Sequence, residues 1–234
     1  MKNYKLLMFD ADGTLFDYNR AESWALEQTI CGLGIQCTES IKAAYRAVNH
    51  TLWADFERGA VTIAEIRVER FRKLLSALHC NANPAAAGEQ YLLYLGKSDF
   101  LIDGTIQLLD ALFGKVQMAI ITNGITETQY GRLEASGIGK YFNPIIISGE
   151  VGSQKPDPAI FEALFTKADF HDKERALIIG DSLTSDMQGG VNFRIDTCWY
   201  NPEEKPQNPD IPVTYEIRKL SDLLRITLCS DIYN

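Results

Sequence analysis

Long apolar runs are missing from this sequence. No stretch approaches the roughly 20 residues that a membrane-spanning helix needs, so no membrane partner is expected. Positive charge is in deficit as well. Lys and Arg number 23 against 31 Asp and Glu, a formal net charge of −8. That balance opposes binding to nucleic acid or to an anionic lipid surface. An anionic substrate would need local positive charge, from a metal or a few basic side chains. No Cys-x-x-Cys pair occurs. The five cysteines (Cys31, Cys37, Cys80, Cys198 and Cys229) are scattered and odd in number. They argue for free thiols in a reducing cytoplasm, against a disulfide framework or a zinc site. The three histidines are dispersed too. Met1-Lys2-Asn3 leads straight into a strand with acids behind it, so no signal peptide is expected. Internal repeats and low-complexity tracts are absent.

What is present is ordinary for a globular protein: 46% hydrophobic and 23% charged residues in a chain of 234. That length suits one large domain, or a core plus an insertion. Leu6-Leu7-Met8-Phe9 reads as a strand buried on both faces. Helices then follow without a strand between them. They are expected over about Ala21–Gly32, over Thr38–Phe56 with a Thr38 cap, from Thr62 to Leu78, and over Ala85–Leu95. Thr62 and Glu65 fit a capping box. From Asp103 onward strands and helices alternate. Strands are expected at 116–121, 145–147, 176–179 and 197–199. Helices are expected at 105–113, 127–136, from Asp157-Pro158 onward, and at 185–193. Four prolines at 202, 206, 209 and 212 mark a surface loop, and 217–228 reads as a strand end and a closing helix.

This order predicts an α/β fold: a Rossmann-like, doubly wound parallel sheet with an inserted all-helical cap domain. The expected division is residues 1–16 and 91–234 for the core and 17–90 for the cap. The insertion follows the C-terminal end of the first strand, where open α/β sheets bind ligands. Gly189-Gly190 inside a helix suggests close packing of that helix on the strand bearing Asp10.

The polar residues fall at strand ends. Asp10 and Asp12 follow the first strand, Thr122-Asn123 the second and Asp181 the fourth, while Lys155 precedes the helix capped by Asp157. Two carboxylates as close as Asp10 and Asp12 need a compensating positive charge, most simply a divalent cation. Gly13 lets the chain turn past them, and Thr14 offers a hydroxyl and a backbone N–H to an anion. Taken alone, Asp10 to Thr14 also reads as an acidic turn after a strand. Parallel strands bring all these points to one edge. Carboxylates, a hydroxyl, an amide and an ammonium together suit a magnesium ion and a transferring phosphoryl group.

Asp10-x-Asp12-Gly13-Thr14, Thr122-Asn123, Lys155-Pro156 and Gly180-Asp181-Ser182 through Asp186 resemble the four motifs of the haloacid dehalogenase superfamily, in order and across the whole chain. The helical insertion resembles that superfamily's type-one cap. Phe9-Asp10-Ala11-Asp12-x-Thr14-Leu15-Phe16, Ala47-Val48-Asn49-x-x-Leu52-Trp53, Ile120-Ile121-Thr122-Asn123-Gly124 and Glu150-Val151-Gly152-x-x-Lys155-Pro156 resemble its bacterial pyrimidine 5′-nucleotidases. The resemblance implies roles. Asp10 would be the nucleophile that becomes an aspartyl phosphate. Asp12 would protonate the leaving oxygen and then activate water. Dehalogenases of the superfamily generally lack an acid there, which favours a phosphatase. Thr14, Thr122, Asn123 and Lys155 would bind phosphate, with Lys155 also neutralising Asp10. Asp10, Asp12 through its carbonyl, Asp181 and Asp186 would hold Mg2+, Asp186 through water or by fixing Lys155.

Substrate choice is expected in the cap and at its hinge: Asp17, Tyr18, Asn49, Trp53, Arg67 and Arg70, with Phe56 and Phe71 as further aromatic candidates. The expected substrate is a small phosphate monoester, a pyrimidine nucleoside monophosphate first, handled in the cytoplasm by a monomer or homodimer. A sugar-phosphate phosphatase or phosphomutase is the alternative, and a non-enzymatic binding module a third.

Overall fold

A computed structural model describes residues 2–228. Cys229, expected as a free thiol, lies outside them. Among the described residues six strands form one sheet: β1 (Leu6–Phe9), β2 (Gln117–Thr122), β3 (Ile145–Ile147), β4 (Ala176–Gly180), β5 (Asp196–Tyr200) and β6 (Tyr215–Ile217). Their spatial order is β3-β2-β1-β4-β5-β6, and every pair is parallel. β1 is central and fully buried. An apolar run with no polar alternation has no face to give to water, so it belongs between covered layers.

The helices are α1 (Tyr18–Gly32), α2 (Glu39–Glu57), α3 (Ile63–Ala77), α4 (Pro84–Gly96), α5 (Thr105–Leu112), α6 (Thr126–Ser136), α7 (Ser148–Val151), α8 (Pro158–Lys167), α9 (Gln188–Phe193) and α10 (Leu223–Leu228). Their starts follow the sequence chemistry. The Thr38 hydroxyl accepts from the Ile41 N–H at 3.4 Å. Thr62 and Glu65 close the expected capping box, and Asp157 accepts from the Ala159 N–H at 2.9 Å with Pro158 in the first turn. Each such cap satisfies a backbone donor that the helix leaves orphaned.

The chain divides into two compact units. The α/β unit holds Phe100–Thr126 together with the chain up to Asp17 and from Ser136. The helical unit holds Tyr18–Asp99 and Glu127–Ala135. The expected cap limit at residue 90 therefore falls inside α4, and most of α6, assigned to the core by sequence, groups with the helices. The reason is steric. Gly131 and Gly96 let two backbones meet: a Cβ on Gly131 would stand 2.6 Å from the Gly96 carbonyl oxygen. In the helical unit α1 packs on α4, α4 on α3 and α3 on α2.

In the α/β unit, Leu6, Met8, Ala119, Ile121, Ile146 and Ile178 pack with Ile160, Phe161 and Leu164 of α8 in one buried cluster. The glycine pair of α9 serves a different contact from the one expected. A Cβ on Gly190 would strike Thr197 of β5 and Ile178 of β4, and one on Gly189 would strike Phe161 of α8. The close approach is to β4, β5 and α8, not to β1. The expected helix at 185–193 also starts differently, as a five-residue π turn at Leu183–Met187 that runs into α9.

Candidate active site

Strand register assembles the site. Phe9 pairs with Ile120 on one side and Ile179 on the other. The residues at or just past those strand ends, Asp10, Thr122 and Asp181, thus emerge at one edge. Lys155 completes the group. Its Nζ donates to Asp10 Oδ1 at 2.6 Å, to Asp186 Oδ1 at 2.6 Å and to the Ile121 carbonyl at 2.9 Å. Three acceptors for three protons leave the ammonium saturated, and its side chain is 1% exposed.

Two glycines make room. Gly13 has φ +83°, and a Cβ there would stand 2.5 Å from an Asp181 carboxylate oxygen. A side chain at Gly180 would occupy the place of the Asp186 carboxylate. The π turn that carries Asp186 is fixed from both ends. The Ser182 hydroxyl accepts from the Ser185 N–H at 3.2 Å, and the Ser182 N–H donates to Asp186 Oδ2 at 3.0 Å. The Trp199 indole N–H donates to the Asp181 carbonyl at 2.9 Å. Sequence reading gave Ser182 and Trp199 no role in the site. The Ser-x-x-x-Asp spacing after a strand is a cap signal for the first, and nothing local marks the second.

The three acids at this edge, Asp10, Asp181 and Asp186, offer carboxylate oxygens that lie within 4.8 Å of one another. Their electrostatics are strained when no cation is held. Burial raises the Asp10 pKa well above the usual carboxylate range; Lys155 pulls it down, while Asp186, Asp181 and Asp12 push it up. Burial, then Asp186, lifts Asp181 to about 7. Burial opposes the charge on Lys155, but Asp10 and Asp186 outweigh it and keep the amine protonated. One ammonium does not neutralise three carboxylates. A hard divalent cation fits the remaining charge and the all-oxygen donor set.

The other expected residues are placed as follows. The Thr14 hydroxyl donates to Asp10 Oδ2 at 3.5 Å. Thr122 is buried and its hydroxyl accepts from the Gly124 N–H at 3.0 Å, which leaves its own proton for an acceptor. Asp12 is half-buried in the turn, whose Gly13 N–H donates to the Phe16 carbonyl at 2.9 Å. Asn123 lies against the main chain of Lys155. Its amide accepts from the Lys155 N–H at 2.8 Å and donates to the Lys155 carbonyl at 2.9 Å. The amide thereby fixes the lysine's main chain from both its donor and its acceptor side.

The specificity candidates separate. Asp17 lies in the α/β unit, with its N–H on the Phe100 carbonyl at 3.0 Å. Trp53 packs in an apolar cluster with Leu52, Phe56 and Ile66, so it and Phe56 serve the core of the helical unit. Arg67 pairs with Glu127 at 2.5 Å. Phe71 is buried against Tyr45 and Tyr91. Asn49 Nδ2 donates to Tyr18 Oη at 3.1 Å, and Asn49 and Arg70 are buried.

Strand-end acids around one buried lysine on a parallel sheet define a class, and the sequence comparison agrees with it. The family model of haloacid dehalogenase-like hydrolases matches residues 4–194, and the chain belongs to that family. The HAD-hydrolase YfnB of Bacillus subtilis (strain 168) is 40% identical over 226 residues, spanning 97% of this chain and 96% of its own. A crystal structure of YfnB bound to magnesium aligns with a TM-score of 0.92 over 97% of this chain and 100% of that one, at 40% identity. The pyrimidine 5′-nucleotidase PynA of Streptococcus pneumoniae is 37% identical over 222 residues, 94% of each chain. The pyrimidine 5′-nucleotidase YjjG of Escherichia coli is 33% identical over 223 residues, 95% of this chain and 97% of its own.

Proposed function

We propose that this chain is a magnesium-dependent phosphohydrolase of nucleoside 5′-monophosphates, with a preference for pyrimidines, that works through an aspartyl phosphate. The observation that carries the chemistry is the buried Asp10–Lys155–Asp186 contact beside Asp181. The substrate class rests on the two relatives named as pyrimidine 5′-nucleotidases, which align over almost the whole chain.

Lys155 offsets the negative charge of Asp10 and of the phosphate, and favours the ionised form of Asp10. The Asp10 carboxylate attacks phosphorus while the ester P–O bond breaks, and Asp12 gives its proton to the departing nucleoside oxygen. Asp12, now ionised, takes a proton from water. That water attacks the phosphorus, the bond to Asp10 breaks, and inorganic phosphate leaves with Asp10 restored. Thr14 and Thr122 hold phosphate oxygens. Asp10, Asp181 and Asp186 would hold Mg2+, with the Asp12 carbonyl as a further oxygen donor. When bound, the ion screens the repulsion between carboxylates and phosphate and supports charge on the transferring group.

The experiment is phosphate release from UMP, dUMP, dTMP, purine monophosphates and sugar phosphates with magnesium, repeated with Asp10→Asn. Fastest turnover of pyrimidine monophosphates, abolished in Asp10→Asn, is expected. Equal or faster turnover of sugar phosphates would overturn the nucleotide assignment. Dependence on a bisphosphate activator with little phosphate release would mark a mutase instead.

A further inference from the structure

The loop after β5 carries an exposed lysine on a tightly held main chain, at the same sheet edge as the acids. β5 runs parallel to β4, with Trp199 paired to Gly180. The next residues along the two chains are Tyr200 and Asp181. Burial, then Asp103 and Asp181, raises the Tyr200 pKa, so Tyr200 and Asp181 lie within each other's field. Asn201 follows and is 2% exposed. Its Oδ1 accepts from the Lys205 N–H at 2.9 Å. Its Nδ2 donates to the Lys205 carbonyl at 3.0 Å and to Glu216 Oε1 of β6 at 2.8 Å. Both amide protons are used. Glu204, just before Lys205, has φ +54°, a left-handed backbone that a non-glycine residue adopts only under constraint.

A buried amide and a strained turn thus fix where the Lys205 main chain stands. Neighbouring strands are about 4.8 Å apart, so one strand spacing and one asparagine side chain separate the end of β4 from that main chain. The lysine side chain itself is 60% exposed, with Nζ 3.0 Å from a Glu203 carboxylate oxygen. An ion pair so open to water adds little to stability, and stability does not account for the lysine. Charge at the site does. Lys155 spends its three protons on Asp10, Asp186 and the Ile121 carbonyl. An incoming phosphate dianion meets three carboxylates at this edge. Burial and Asp186 raise the Asp181 pKa, Lys155 lowers it, and the field of Lys205 reaches the same carboxyl and lowers it further.

We propose that Lys205 draws in and contacts the phosphate of the substrate as a second cation at the acid edge, and that the Asn201 amide positions it there. A compact ammonium on a flexible stem suits the task, because a phosphate can take the place of Glu203 without uncovering any buried group. Lys205 is a binding residue and Asn201 a positioning residue; both belong to the α/β unit. The proposal deepens the phosphohydrolase reading above and rests on it.

The test measures KM and kcat for UMP and for p-nitrophenyl phosphate, and the competitive Ki of inorganic phosphate, in Lys205→Gln. KM for both substrates and Ki are expected to rise about 10-fold, as for loss of one partly screened hydrogen bond to a charged group. The rise should be the same with and without a base, kcat should stay within about twofold, and Lys205→Arg should recover most of the loss. Asn201→Ala should give part of the same rise, and the double variant should show less than the product of the two effects. Wild-type KM and Ki in Lys205→Gln overturn the proposal. So does a rise that vanishes at saturating magnesium, which assigns the lysine to the metal. A lowered melting temperature with unchanged KM in Asn201→Ala overturns the positioning role. A wild type that releases no phosphate from any monoester overturns the phosphohydrolase reading instead.

Discussion

At the scale of single residues, Lys155 and Glu22 show how burial turns charge into constraint. Lys155 is enclosed by Asp10 and Asp186, each at 2.6 Å. Lys155→Ala leaves two buried carboxylates facing each other, and such a loss costs about 3–5 kcal/mol. Urea unfolding without divalent ions should show that drop, and magnesium should recover part of it, since a cation restores the missing charge. Glu22 gives a pH-dependent case. Burial raises its pKa; Asn49, Arg46, Tyr18 and Arg70 only partly counter this. A folded-state value above the unfolded one means the folded protein binds the proton more tightly, so stability is lost as pH rises from the ordinary glutamate value of 4.5. Glu22→Gln mimics the protonated form. Its melting temperature should exceed that of the wild type at mildly alkaline pH, and the gap should close as pH falls toward 4.5.

At the scale of elements, the acid-bearing turn Leu183–Met187 depends on a strand that contributes no ligand. Trp199 of β5 is buried with Met187 and Ile211, and its indole N–H holds the Asp181 carbonyl at 2.9 Å. Trp199→Phe keeps most of the packing and removes that hydrogen bond. Partners one step removed from a metal ligand typically affect affinity 10- to 100-fold. Magnesium titration by calorimetry should show weakening toward the lower end of that range, with little change in urea stability without metal. The glycine pair in α9 makes the complementary point. A helix carrying two glycines is weak by propensity, yet Gly190 brings it against Thr197 and Ile178. Gly190→Ala should destabilise the protein by about 1–3 kcal/mol, the usual range for overpacking a core, as read from thermal melts.

For the whole molecule, a chain of net charge −8 meets an anionic substrate at a point where three acids and one lysine converge. Local charge, not the overall balance, governs the site, so binding one divalent cation should stabilise the entire α/β unit. Magnesium at about 100 times its Kd adds about 2.7 kcal/mol by mass action, and a chelator should reverse the gain in a thermal melt. Much of this was legible in the sequence. Buried strands announce themselves as unbroken apolar runs, and parallel strands must deliver their C-terminal residues to one edge, so Asp10, Thr122, Lys155 and Asp181 were identified as neighbours from order alone. Caps at Thr38, Thr62 and Asp157 were legible because capping is a contact between residues two or three positions apart. Only the tertiary structure showed that Asn123 holds the Lys155 backbone, that α6 groups with the helical insertion, that Trp53 and Arg67 are occupied with other partners, and that Arg70 is buried. Those facts depend on which side chains meet across long stretches of chain. Local periodicity gives a residue's face on its own element and carries no information about what packs against that face.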